Sequence, residues 1–165
     1  GALDSARFRT YLSLALDKPS NDIHGMVIGG HGDTTMIPMT RLASYNGIKF
    51  SDLLEEKVLE KVAADTMVGG KTLTGMLGTS AWYAPGAAVA FLVDSILNDQ
   101  KRIIPCSVYL EGEYGQKDIC IGVPVVIGRN GWENVIDLKL NEKEQDLFAK
   151  SADAVRNMNS ALESI

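Results

Sequence analysis

Apolar residues recur along this chain with two different periods, and the switches between them divide it into elements. Asp4 is a good N-cap, and Phe8, Leu12 and Ala15 or Leu16 then repeat at helical spacing, so a helix is expected over Ser5 to Leu16. Lys18-Pro19-Ser20-Asn21-Asp22 ends it. Ile23 to Ile28 alternates, Gly29-Gly30-His31-Gly32-Asp33 interrupts, and Thr35 to Met39 resumes, which reads as strand, glycine loop, strand. Helical spacing returns from Ser51 to Val68, with Ser51 as N-cap and Leu54, Val58, Val62 and Asp65 marking one face and its edge. Gly69-Gly70 is expected to break or bend that helix, with a second piece from Lys71 to Gly78.

Ser80 to Asn98 reads as a long, largely apolar helix with Pro85 near its first turn, where proline is tolerated. Arg102 to Leu110, Asp118 to Val126 and Gly131 to Leu138 are strands, joined by hairpin turns at Glu111 to Lys117 and Gly128-Arg129-Asn130 into an antiparallel meander. Asn141 then caps a closing helix from Glu142 to about Leu162, with Leu147, Ala154, Val155 and Met158 along one side. Helices packed on an antiparallel sheet make the fold class α+β.

Composition narrows the function classes. The 165 residues suit one domain, and 16 basic against 21 acidic side chains give a net charge of −5, with no cationic field to recruit nucleic acid. No apolar run approaches the roughly 18 to 20 residues of a membrane span, and no basic segment precedes an apolar stretch as in a secretory signal. Cys106 and Cys120 fall outside any metal-spaced cluster with His24 and His31, so no metal site is expected, and both read as reduced core thiols of a cytoplasmic protein. Trp82, Tyr83 and the methionines read as core or interface filler. The chain starts at Gly1 and enters a helix at once, so it is expected to be a piece of a longer polypeptide.

Two short segments carry chemistry. Three glycines around His31 remove side-chain bulk and let a ligand reach the imidazole, although a tight turn with a surface histidine is the plain alternative. Asp4 and Arg7 are i, i+3 neighbours that can face one site, the alternative being an N-cap beside solvated arginines. An arginine can grip a carboxylate with two parallel charge-assisted bonds, and a buried aspartate can fix a histidine tautomer. Together they make a site for a 2-hydroxy or 2-oxo acid conceivable. No glycine-rich phosphate loop lies between a strand and a helix.

Leu3-Asp4-Ser5-Ala6-Arg7-Phe8-Arg9, Gly29-Gly30-His31-Gly32-Asp33-Thr34 and Tyr109-Leu110-Glu111-Gly112-Glu113-Tyr114-Gly115 resemble, in order and spacing, the C-terminal half of the lactate and malate dehydrogenase family. The resemblance covers essentially the whole chain. Gly30 before His31, where lactate dehydrogenases commonly carry Glu, and Thr79-Ser80-Ala81-Trp82-Tyr83-Ala84-Pro85 both look like the malate branch. The resemblance implies that His31 exchanges a proton with the substrate 2-oxygen, that Asp4 orients it, and that Arg7 clamps the substrate carboxylate. Ser80 and Ala81 would line the pocket near the substrate's distal end.

By the same resemblance, residues 1–165 are the catalytic, substrate-binding domain of an NAD-dependent malate dehydrogenase acting on malate and oxaloacetate, a homo-oligomer. Its NAD would be held by an N-terminal Rossmann domain that precedes these motifs, apart from contact at His31, and the chain is not expected to turn over alone. The competing readings are a domain of an L-lactate or other 2-hydroxy acid dehydrogenase, and a noncatalytic interaction module that kept the fold.

Overall fold

A computed structural model describes residues 1–164. The described residues form four α-helices and eight strands. Helix α1 (Ala2–Leu16) leads into β1 (Ile23–His24), β2 (Val27–Gly29), β3 (Met36–Pro38), β4 (Ser44–Tyr45) and β5 (Ile48–Lys49). Helices α2 (Glu56–Leu77) and α3 (Tyr83–Leu97) follow, then β6 (Arg102–Glu111), β7 (Lys117–Gly128), β8 (Gly131–Val135) and α4 (Glu142–Ser160). Every strand pair among the described residues is antiparallel. This is the expected α+β architecture.

The main sheet has five strands in the order β3-β2-β7-β6, with β8 also on β7. Its backbone is the β6–β7 ribbon, in register from Arg102 opposite Ile127 to Leu110 opposite Ile119. A smaller sheet runs β1-β4-β5, its β4–β5 hairpin turning at Asn46 and Gly47, both at positive φ as a tight two-residue hairpin demands. Apolar side chains pack in two clusters. Phe148 and Ala152 of α4 cover Ile37, Leu110, Ile119 and Val123 on one side of the sheet. Phe8 and Leu12 of α1 pack with Val27, Met36, Leu59 and Val62 on the other, which clamps α1 to α2 and to the β2–β3 hairpin.

Several local expectations are corrected. Asp4 does not cap α1, which begins at Ala2 after Gly1; it sits in the first turn with its carboxylate engaged elsewhere. Ile23 to Ile28 is two strands in two sheets, and β4 and β5 were not anticipated. Ser51 lies in a 3-10 turn and α2 starts only at Glu56, then runs unbroken through Gly69-Gly70. Its buried stripe is Leu59, Val62, Thr66 and Gly69 rather than Leu54, Val58, Val62 and Asp65. Ser80 precedes α3, which starts at Tyr83.

Asn141 caps α4 through a reciprocal capping box with Glu144, but the buried face is Glu144, Phe148, Ser151 and Ala152; of the expected face Val155 packs against the core, while Leu147 and Met158 point to solvent. Cys106 is half-buried and Cys120 exposed, so only the first resembles a core thiol, and burial pushes it above the ordinary thiol range. Trp82 and Tyr83 are exposed, as are Val89, Val93 and Leu97 of α3. No helix among the described residues is long and apolar enough to cross a membrane.

Candidate active site

The site forms where the first turn of α1 meets the loop between β2 and β3. Gly29 ends β2 at φ 88°, and a Cβ there would lie 2.5 Å from the Thr35 carbonyl oxygen and 2.8 Å from Ser151 Oγ, so only glycine lets the chain close so tightly. Ser151 of α4 staples the loop at both ends. Its hydroxyl accepts from the Gly30 N–H at 2.8 Å and donates to the Thr35 carbonyl at 2.7 Å. His31 protrudes from this fixed base with its side chain 71% exposed.

Asp4 is 3% exposed and serves two partners. Its Oδ2 lies 2.7 Å from His31 Nδ1, and its Oδ1 accepts from Arg7 Nη1 at 3.0 Å. With Nδ1 held by a carboxylate, the imidazole presents Nε2 to whatever enters the site. The Arg7 side chain is only 17% exposed, and its single bond to Asp4 leaves further guanidinium N–H groups for a ligand. The buried carboxylate is thus compensated on both sides, which is the condition for keeping a charge out of water.

Arg7 and His31 open into a cavity of about 370 Å³ that Ser80 and Ala81 also line, so all of the sequence-predicted site residues except Asp4 share one space. Asp4 stands behind them. The cavity wall adds Met67, Gly70, Lys71 and Thr74, which sequence reading missed. Their spacing is one helical face, i, i+3, i+4, i+7, and it was hidden by treating Gly69-Gly70 as the end of a helix. A larger concavity of about 740 Å³ between β3, α2 and α4 contains none of Asp4, Arg7 and His31. Among the described residues no three of His, Cys, Asp and Glu gather as a metal site.

A histidine backed by a buried aspartate can give and take a proton at a position an adjacent arginine fixes by gripping a carboxylate. Such an arrangement can do acid–base chemistry on a small carboxylic acid. In comparison with known proteins, residues 1–164 match the lactate/malate dehydrogenase alpha/beta C-terminal domain. The chain belongs to that family.

A malate dehydrogenase of Flavobacterium frigidimaris is 77% identical over the whole of this chain, which spans 53% of that relative. The chain thus covers about half the length of the curated relatives it matches. Among solved structures, Cryptosporidium parvum malate dehydrogenase superposes with a TM-score of 0.96 at 38% identity, covering 100% of this chain and 54% of that one. Eimeria maxima lactate dehydrogenase with NADH and oxamate does so with 0.94 at 36% identity, covering 99% and 53%.

Proposed function

We propose that residues 1–165 are the substrate-binding and catalytic domain of an NAD-dependent malate dehydrogenase, interconverting malate and oxaloacetate together with a dinucleotide-binding domain. The observation that carries this reading is the convergence of Asp4, His31 and Arg7, with Nδ1 of the histidine 2.7 Å and Nη1 of the arginine 3.0 Å from one buried carboxylate. Packing alone would not need all three.

Arg7 grips the carboxylate next to C2 with its guanidinium fork, which orients the 2-oxygen. His31 Nε2 donates a proton to that oxygen as oxaloacetate is reduced and takes it back as malate is oxidised. Asp4 holds the Nδ1–H and so keeps the reactive nitrogen aimed and in the right tautomer. Ser80 and Ala81, on the connector before α3, line the distal end of the substrate.

The site residues suit NAD: the exposed imidazole leaves one wall open, and bound nicotinamide dinucleotide would exchange a hydride with C2 there. The exposed Trp82, Tyr83 and Val89 offer the apolar surface that a dinucleotide-binding domain and neighbouring subunits of a homo-oligomer would cover. The free thiols fit the reducing cytoplasm.

Fusing the dinucleotide-binding half of the Flavobacterium frigidimaris relative ahead of Gly1 tests the reading. The fusion is expected to oxidise NADH with oxaloacetate and to prefer it over pyruvate, while the 165 residues alone show no measurable turnover, because hydride transfer depends on holding both reactants together. A folded fusion that leaves oxaloacetate untouched contradicts the proposal, and one that prefers pyruvate moves the chain to the lactate branch.

A further inference from the structure

Helix α2 carries two successive glycines near its middle, a costly choice for a helix because glycine gains the most freedom on unfolding. The backbone does not ask for them: neither Gly69 nor Gly70 is among the glycines at positive φ. Space does. A Cβ on Gly69 would stand 2.6 Å from Arg7 Cδ, 3.2 Å from Arg7 Nε and 3.1 Å from the Tyr11 hydroxyl, and a Cβ on Gly70 would stand 3.2 Å from Arg7 Nη2. Gly75, in the same helix, has nothing within 4 Å of its Cβ position.

We infer that Gly69 and Gly70 form a notch in α2 that seats Arg7 and sets the aim of its guanidinium, which makes them positioning residues for the substrate carboxylate. Arg7 cannot simply swing aside, because Nη1 is tied to Asp4 Oδ1 at 3.0 Å and Asp4 is tied to His31. A methyl group at position 69 must move the arginine stem by about 1 Å to reach ordinary contact at about 3.5 to 4 Å. That displacement either breaks the Asp4 bond or turns the fork away from the cavity, which Gly70 itself lines.

The inference rests on the proposed role of Arg7, and the test separates the two. In the fusion enzyme Gly69→Ala is expected to raise KM for oxaloacetate and the inhibition constant of oxamate by about tenfold or more, with kcat changed less than about threefold, the signature of lost uniform binding. Gly70→Ala, which meets only the guanidinium tip, shifts both the same way by less. Gly75→Ala leaves both unchanged. An active parent with a Gly69→Ala variant of unaltered KM and oxamate affinity overturns the notch alone, and so does a Gly75→Ala variant with the same defect. Should the parent fusion fail to reduce oxaloacetate, the functional reading falls, and a crystal structure of the Gly69→Ala chain decides the notch: a displaced Arg7 upholds it, and a retained Arg7–Asp4 contact overturns it.

Discussion

Replacing Asp4 by asparagine preserves the shape of the side chain and removes one of its two acceptors. Two donors converge on the carboxylate, Arg7 Nη1 at 3.0 Å and His31 Nδ1 at 2.7 Å, and an amide can accept from only one of them. If its oxygen stays with Arg7, its NH2 faces Nδ1 and forces the imidazole proton onto Nε2, the tautomer that cannot take a proton from malate. If its oxygen turns to His31, the NH2 meets the guanidinium donor to donor and dislodges the clamp.

Either arrangement removes roughly 10²- to 10⁴-fold in kcat/KM, or about 3 to 5 kcal/mol of transition-state stabilisation. In both arrangements the largely buried guanidinium loses its countercharge and one of the two contacts to residue 4 is broken, about 1 to 3 kcal/mol of stability, so the melting temperature should fall by roughly 2 to 10 °C in a domain of this size. Initial rates of NADH oxidation with oxaloacetate by the fusion, below the melting range of both proteins, give the first quantity and a circular-dichroism melt the second. An Asp4→Asn enzyme within about threefold of its parent in kcat/KM would refute the coupling of the two contacts.

Arg7→Lys should weaken oxaloacetate and pyruvate alike, by about tenfold or more in KM, because both present the carboxylate that the lost fork would grip; a reversed order of preference in initial-rate assays would show that Arg7 reads the variable end instead. Ser151→Ala should strand the Gly30 N–H and the Thr35 carbonyl and lower stability by about 1 to 3 kcal/mol, which a urea melt can measure; an unchanged midpoint would mean that the loop is not stapled by this hydroxyl.

Glu144 gives a pH-dependent term. Burial alone would lift its carboxyl, but the Arg41 fork at 2.8 and 2.9 Å and the Asn141 N–H outweigh it, and the group titrates below the ordinary glutamate range. Its folded value being depressed, the contribution, about 1 kcal/mol with Arg41 partly in water, is full above the unfolded value near 4.3 and is lost as pH falls through the folded one. Melts of the parent and Glu144→Gln should therefore differ at neutral pH and converge in acid; a gap that widens in acid contradicts the assignment.

The parts of the fold that were legible in the sequence are those whose pattern is local. The β6–β7–β8 meander has strong alternation and turn residues, and Asn141 with Glu144 is a complete capping signal, so both appear where expected. Asp4, Arg7 and His31 stood out because residue type, i, i+3 spacing and glycine bulk are all visible along the chain. What failed depends on distant partners. Gly69-Gly70 reads as a helix breaker on propensity, yet the helix continues because α1 packs against it and Arg7 fills the space a side chain would take. Thr74 and Lys71 were missed for the same reason. The face of α4 was misjudged because Ser151 is buried for its two hydrogen bonds, a use that hydrophobic spacing cannot reveal. Helix α3 is apolar but exposed: hydropathy says that a surface avoids water and not what it meets.

The central claim is that His31 moves the proton, and one substitution tests it directly. His31→Asn in the fusion removes the donor and acceptor while leaving the loop, whose closure depends on Gly29 and Ser151, in place. The account predicts that NADH-dependent oxaloacetate reduction falls by at least about 10²-fold with NADH affinity unchanged, while the lost Asp4 contact lowers the melting temperature by no more than roughly 2 to 10 °C. A His31→Asn enzyme that keeps turnover within a few-fold of its parent would contradict it.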